Sequence, residues 1–220
     1  MADDVWQVAV FTLTMAVVAT LVMLPPGIVF AWLFARHRFR GCTALETLVM
    51  LPLVIPPVAT GLILLRLFGR RGLFGRVAES VGLELIFTWK AVILAMAVMG
   101  LPLLVRAART AFEQVDRRYE QVAASLGAGP LRIFFTVSLP LAGRGVLAGV
   151  LLAFSRAVGE FGATVMLAGN MPGSTRTIAS GIYIYTEVGN DAAATSLMLV
   201  SIMIAFGSLW FSNRLAQPQL

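Results

Sequence analysis

The sequence predicts an all-α integral membrane protein with five, or six, transmembrane helices. Three observations carry this. The 220 residues are 59% hydrophobic and only 13% charged, with a mean hydropathy of +0.87, whereas a soluble domain carries about a quarter charged residues. The apolar residues are gathered into runs long enough to cross the roughly 30 Å of a bilayer core. The charges, mostly arginine, collect between those runs, as membrane-flanking residues do. One membrane domain over residues 1–220 is the simplest organisation.

Five runs qualify: residues 5–35, broken by Pro25-Pro26; 44–68, holding Pro52, Pro56 and Pro57; 85–105; 141–167; and 194–211. At about 1.5 Å per residue the fourth would reach about 40 Å if straight. It must tilt or break, and Gly159 and Gly162 are the expected places. In lipid every backbone polar group needs a partner, so interrupted helices occur where they are buried in protein or line a cavity. Pro56 and Pro57 are therefore candidates for the wall of a translocation pathway, a simple packing kink being the alternative.

With the N-terminus outside, the inner loops hold Arg36, Arg38, Arg40, Arg106, Arg109, Arg117, Arg118 and Arg132, with Arg214 in the tail. The outer side then holds Arg70, Arg71, Arg76 and Arg176. This bias favours an outside N-terminus and a cytoplasmic C-terminus, with the cluster at 69–76 running against it. No basic run is interleaved with aromatics, so no nucleic-acid partner is expected. The acidic start "MADDV" does not read as a cleaved signal peptide. Cys42, the single cysteine, cannot form an internal disulfide, and His37 between arginines reads as a surface residue.

The stretch "EQVAASLGAGPLRIFFTVSLP" (120–140) stands apart from these oily runs. Tyr119, Val122, Ala123 and Leu126 fall at i, i+3, i+4 and i+7 and form one narrow apolar stripe on a helix. Asp116 suits the N-cap, and Gly127 suits the residue beyond the end that takes positive φ. Three turns capped at both ends describe a rigid peg. An amphipathic helix lying on lipid is the alternative, but Ala123 and Ala124 offer little area to a bilayer and suit insertion into a protein cleft.

Gln121-Val122-Ala123, Gly127, nine further residues, then Val137-Ser138-Leu139-Pro140 resembles the EAA loop of ABC-importer permeases, E-A-A-x3-G-x9-I-x-L-P. The spacing matches throughout. Gln121 replaces Glu, Val122 replaces Ala, Val137 replaces Ile, and Glu120 stands one position early. The resemblance implies an ABC-importer permease fold with a cytoplasmic coupling loop at about 116–140 that docks into an ATP-binding subunit. It implies that Glu120, Gln121, Ala123, Ala124, Gly127, Leu139 and Pro140 carry that coupling. No P-loop is present, because G-x4-G-K-[ST] needs a lysine and Lys90 alone, after Trp89, lacks the context. The chain is therefore not expected to be an enzyme, and no cofactor, catalytic set or metal site is expected.

"LPLVIPPVATGLILL" (51–65), "GRRGLFG" (69–75), "AFSRAVGEFGATVMLAGN" (153–170) and "GSTRTIASGIY" (173–183) resemble the molybdate permeases, with the sulfate/thiosulfate permeases as relatives. Compact length and "TRTI" favour molybdate, with tungstate as a possible co-substrate. The resemblance implies ATP-binding subunits, an extracytoplasmic oxyanion-binding protein and a second copy of this chain as partners, in the inner (plasma) membrane of a prokaryote. Arg156 and Glu160 stand at i, i+4 within the fourth run. They are candidate pathway residues, although a mutual ion pair that locks packing is the preferred reading. Gly159, Gly162 and Gly169 permit close helix approach across a dimer axis, softening of the helix being the alternative. Thr175-Arg176-Thr177 reads as a solvated loop that could meet a binding protein, and Tyr183 and Tyr185 as an interfacial belt. A membrane-embedded enzyme would need a nucleophile–base or metal set that one His, one Cys and scattered acids do not supply. A passive channel would need a filter motif or charge ring.

Overall fold

The computed structural model describes residues 2–80, 82 and 84–216, and every regular element among them is helical. Four helices are long and apolar enough to cross a membrane, and one bent helix pair makes a fifth candidate.

Helix α1 (Ala2–Arg36) runs without interruption through Pro25 and Pro26, which corrects the expected break. Its neighbour α5 (Trp89–Gln114) lies against it along most of its length. Contact is close enough that a Cβ on Gly27 would stand 2.5 Å from Leu104 Cδ2. The two prolines remove N–H donors from the helix, yet it stays continuous where it packs on α5. α5 is the central helix. Its buried face is rich in small residues, including Ala91, Ala95, Gly100 and Ala108, which lets α1 and α8 (Leu139–Val158) pack closely on it.

The second crossing is made of α2 (Cys42–Val54) and α3 (Pro57–Phe68), bent by 118° at Ile55-Pro56. Pro57 stands in the first turn of α3, where its missing N–H costs nothing. Cys42, Leu45, Val49 and Met50 of α2 pack with Phe34, Val105 and Phe112 toward one end of the bundle. Leu64, Leu65 and Phe68 of α3 pack with Ala91, Val92 and Leu167 toward the other. The pair thus passes from one end to the other as a broken span.

The fourth crossing begins earlier than expected. Short α7 (Pro130–Ile133) leads through a π turn at Phe134–Ser138 directly into α8. Pro140 falls in the first turn of α8, and Leu139 N–H donates to Phe134 O, five residues back. The wider turn accommodates a proline that an ordinary α-helix interior would not. The break comes where expected, at Gly159–Phe161, and α9 (Gly162–Ala168) follows. Two helices were not anticipated: α4 (Leu73–Ser80) and α10 (Ile178–Glu187). α10 is ten residues, about 15 Å, too short to span. The last crossing, α11 (Asp191–Ala216), packs on α8, where Ser212 Oγ–H donates to Ala148 O.

Candidate functional site

At one end of the bundle the chain leaves α5 through Val115 and forms α6 (Arg117–Ser125). Asp116 caps it, its carboxylate accepting from Arg118 N–H at 2.9 Å. Such a cap contributes about 1 kcal/mol. The other end closes as a Schellman motif. Gly127 has φ +84°, its N–H donates to Ala124 O at 2.9 Å, and Ala128 N–H donates to Ala123 O at 3.1 Å. The peg read from the sequence is present, with both stops as expected.

Its two faces do different things. Tyr119, Val122 and Leu126 are 61, 59 and 83% exposed, so the apolar stripe points away from this chain's own bundle. Gln121 and Ser125 are also exposed, and Ala123 is half-buried. Glu120 is turned inward, and with the exposed Ala124 it lines a cavity of about 440 Å³ beside Trp32, Arg36, Pro130 and Phe134. Glu120 Oε1 accepts from Arg36 Nε at 2.9 Å and from Ser138 Oγ at 2.7 Å. Arg36 Nη2 also donates to Val115 O at 2.9 Å. The acid one position early in the motif is thus turned into the chain's own scaffold.

Phe134 roots the loop from below, edge-on to Trp32 at 5.5 Å and tilted against Phe112 at 6.1 Å. His37 is exposed, as expected, and packs edge-on to Trp32. Leu139 and Pro140 form the first turn of α8 behind this cluster. Sequence reading missed two residues of the arrangement. In the sequence Arg36 reads only as a flanking charge, and Ser138 only as the variable position of the motif. Nothing local points to Arg36, which lies 84 positions from Glu120.

The pathway candidates form a second group. α3 and α9 cross within the chain, and glycine makes room on both sides. A Cβ on Gly61 would stand 2.7 Å from Ala163 Cα, and one on Gly162 would stand 2.9 Å from Pro57 Cβ and from Val58 N. Gly162 thus serves a contact inside the chain. Gly159 ends α8 without a tight neighbour, and Gly169 is a turn at φ +73°. The two helix breaks, at Ile55-Pro56 and at Gly159–Phe161, are therefore neighbours in space.

Arg156 Nη1 lies 2.6 Å from Glu160 Oε2, with side chains 26 and 1% exposed. The contact is an ion pair of poor hydrogen-bond alignment, since Oε2 has no well-formed bond. Glu160 Oε1 accepts from Ala163 N–H at 2.8 Å and so caps α9, where a negative charge complements the helix dipole. Glu160 is enclosed by protein, and Arg156 keeps an exposed edge. Pro56 and Pro57 are exposed at the α2–α3 bend. Sequence reading also passed over Arg66, an exposed arginine in the last turn of α3.

At the opposite end, the triplet at 175–177 is not a solvated loop. Thr175 and Thr177 are fully buried. Thr175 Oγ1 accepts from Met171 N–H, and Thr177 forms a capping box with Ser180 at the start of α10. Between them Arg176 lies over Tyr185 at 5.6 Å and lines a cavity of about 380 Å³ with Asp4, Gln7 and Ser174. Tyr185 is thereby engaged within the chain, and Tyr183 packs against Phe161 at 5.4 Å.

A capped peg with an exposed apolar stripe is thus rooted in a helical bundle, two of whose spans are broken. Residues 27–217 match the model of the family described as "Binding-protein-dependent transport system inner membrane component". The chain belongs to this family. As a permease of it, the protein is 45% identical over 219 residues to the molybdenum transport system permease protein ModB of Escherichia coli K12, covering 99% of this chain and 96% of the relative. It is 41% identical to ModB of Haemophilus influenzae, over 93% of this chain and 92% of that one. A probable sulfate transport permease, cysT of Helicosporidium, is 35% identical over 96% of this chain and 78% of its own length. Among solved structures, the MetNI methionine ABC transporter in an inward-facing conformation superposes with a TM-score of 0.67, over 97% of this permease and 93% of that chain, at 16% identity. That likeness speaks for the fold alone. The permease is thus a multi-pass inner-membrane transport component with the ABC-importer fold, and not an ATPase.

Proposed function

We propose that this permease forms the membrane pathway of an ATP-driven importer of molybdate, with tungstate as a related substrate, and that partner subunits hydrolyse the ATP. The observation that carries the reading is near-full-length similarity to molybdenum permeases, at 45% identity against 35% for the sulfate relative. In this reading ATP-binding subunits dock on the exposed Tyr119–Val122–Leu126 stripe, and Gln121, Ala123 and Gly127 define the shape they receive. That end is then cytoplasmic, which puts the N-terminus outside and the C-terminus inside. An extracytoplasmic binding protein delivers the anion at the other end, where Arg176 stands. Two copies of the chain enclose the pathway, with Pro56 and Pro57 at its wall and the exposed edge of Arg156 offered to the anion. Both molybdate and sulfate are tetrahedral dianions, so selection by size belongs mainly to the binding protein. A tight site in the membrane would trap the cargo.

Deletion of the gene tests this. Molybdenum-enzyme activity is expected to fall at trace molybdate and to recover with excess molybdate, while sulfate assimilation stays intact. Sulfur auxotrophy with normal molybdenum-enzyme activity would establish the sulfate reading instead.

A further inference from the structure

We infer that Glu120 is a positioning residue inside the permease: with Arg36 and Ser138 it forms a latch that makes α6 one rigid body with α1 and α8. This deepens the coupling role proposed for α6 and rests on that reading. It differs from the role that the motif suggests for a carboxylate at this point, which is contact with the ATPase.

The geometry is specific. One carboxylate oxygen, Glu120 Oε1, receives both Arg36 Nε at 2.9 Å and Ser138 Oγ at 2.7 Å. The Arg36 side chain is 7% exposed, that of Glu120 20%, and Ser138 is buried. Arg36 spends a second donor on Val115 O at 2.9 Å, where the chain turns from α5 into α6. Three segments distant in sequence thus meet on one charge-assisted network: the end of α1, the base of α6, and the last residue of the π turn before Leu139-Pro140. Charge-assisted bonds of this kind are roughly twice as strong as neutral ones, and shielding from water lessens their screening. Apart from the latch, α6 is held at its ends, through Val115-Asp116 and the turn at 126–129, and by packing on α7 and the π turn, and it buries no residue completely. A peg held mainly at its ends would yield to a push. A peg latched to α1 and α8 transmits it to two membrane-crossing helices.

The test uses the full transporter with its ATP-binding subunits and binding protein. Spin labels at Arg38→Cys and Ser125→Cys, both exposed, in a Cys42→Ser background report the distance from the end of α1 to α6. A narrow distribution is expected, becoming at least twice as broad in Glu120→Gln. The same variant is expected to keep co-purifying with the ATPase, while binding-protein-stimulated ATP hydrolysis falls about tenfold, within the ordinary range of coupling between sites. Arg36→Gln is expected to reproduce this, and the double variant to be no worse than either single one. Should Glu120→Gln fail to fold, Ser138→Ala removes one arm alone and is expected to broaden the distribution to a smaller degree. An unchanged distribution, undiminished stimulation, or loss of ATPase binding in Glu120→Gln with Arg36→Gln normal would each overturn the latch. The coupling reading itself fails separately, if the unmodified permease shows no stimulation.

Discussion

Gly127 stands at φ +84° with open space where a Cβ would go, so replacing it is a conformational matter and not a steric one. A leucine there carries about 1–2 kcal/mol of left-handed strain and is expected to loosen the end of α6. The membrane level of Gly127→Leu should be normal while uptake falls severalfold; full uptake with full ATPase association would contradict the role given to this stop. Gln121→Ala should be milder, because that position already lacks the carboxylate usual in the motif. The Arg156–Glu160 pair answers a different question. Removing one partner of an enclosed pair costs about 3–5 kcal/mol, and the partial exposure of Arg156 puts Arg156→Ala toward the low end. Folded yield in detergent is expected to drop in Arg156→Ala and to recover in the neutral pair Arg156→Gln/Glu160→Gln, where the amide can still accept from Ala163 N–H. Uptake is expected to stay lost in that pair if Arg156 meets the anion. Recovery of uptake with yield would make the pair purely structural.

Among the helices, the crossing of α3 and α9 is the tightest feature of the pathway group. A side chain at Gly61 or Gly162 meets backbone within 3 Å, so neither partner can yield cheaply. Gly61→Val and Gly162→Val are expected to cost about 1–3 kcal/mol and to lower the thermal midpoint in detergent, whereas Gly129→Ala, which meets nothing within 4 Å, should leave it unchanged. Equal effects at all three positions would dismiss the crossing as a constraint. This is also the scale at which sequence reading was most uneven. Asp116, Gly127 and the break near Gly159 and Gly162 were legible, because caps and breaks are local events written in single residues. The continuity of α1 through Pro25-Pro26 was not, because the helix packed beside it there, with Leu101 and Leu104, lies far along the chain. The partner of Gly162 was hidden for the same reason, and so was Arg36. α4 and α10 escaped notice because short helices outside the spans carry no long apolar run. Motif spacing located the peg, but only the fold separates its outward stripe from its inward latch.

For the molecule as a whole, the two ends of the bundle must face opposite sides of the membrane. Single cysteines at Arg38 and Arg118, both exposed at the α6 end, in a Cys42→Ser background, are expected to resist impermeant thiol reagents in intact cells. A cysteine at Arg71, at the other end, is expected to react. The reverse pattern would invert the orientation and remove the ATPase from α6. The central claim, that this chain moves an oxyanion at the expense of a partner's ATP, is met most directly in proteoliposomes holding the permease, its ATP-binding subunits and the binding protein. Uptake of labelled molybdate is expected to require ATP and the binding protein together, to be outcompeted by tungstate, and to resist a large excess of sulfate. Uptake that proceeds without ATP, or that sulfate abolishes while molybdate is not carried, would contradict the account.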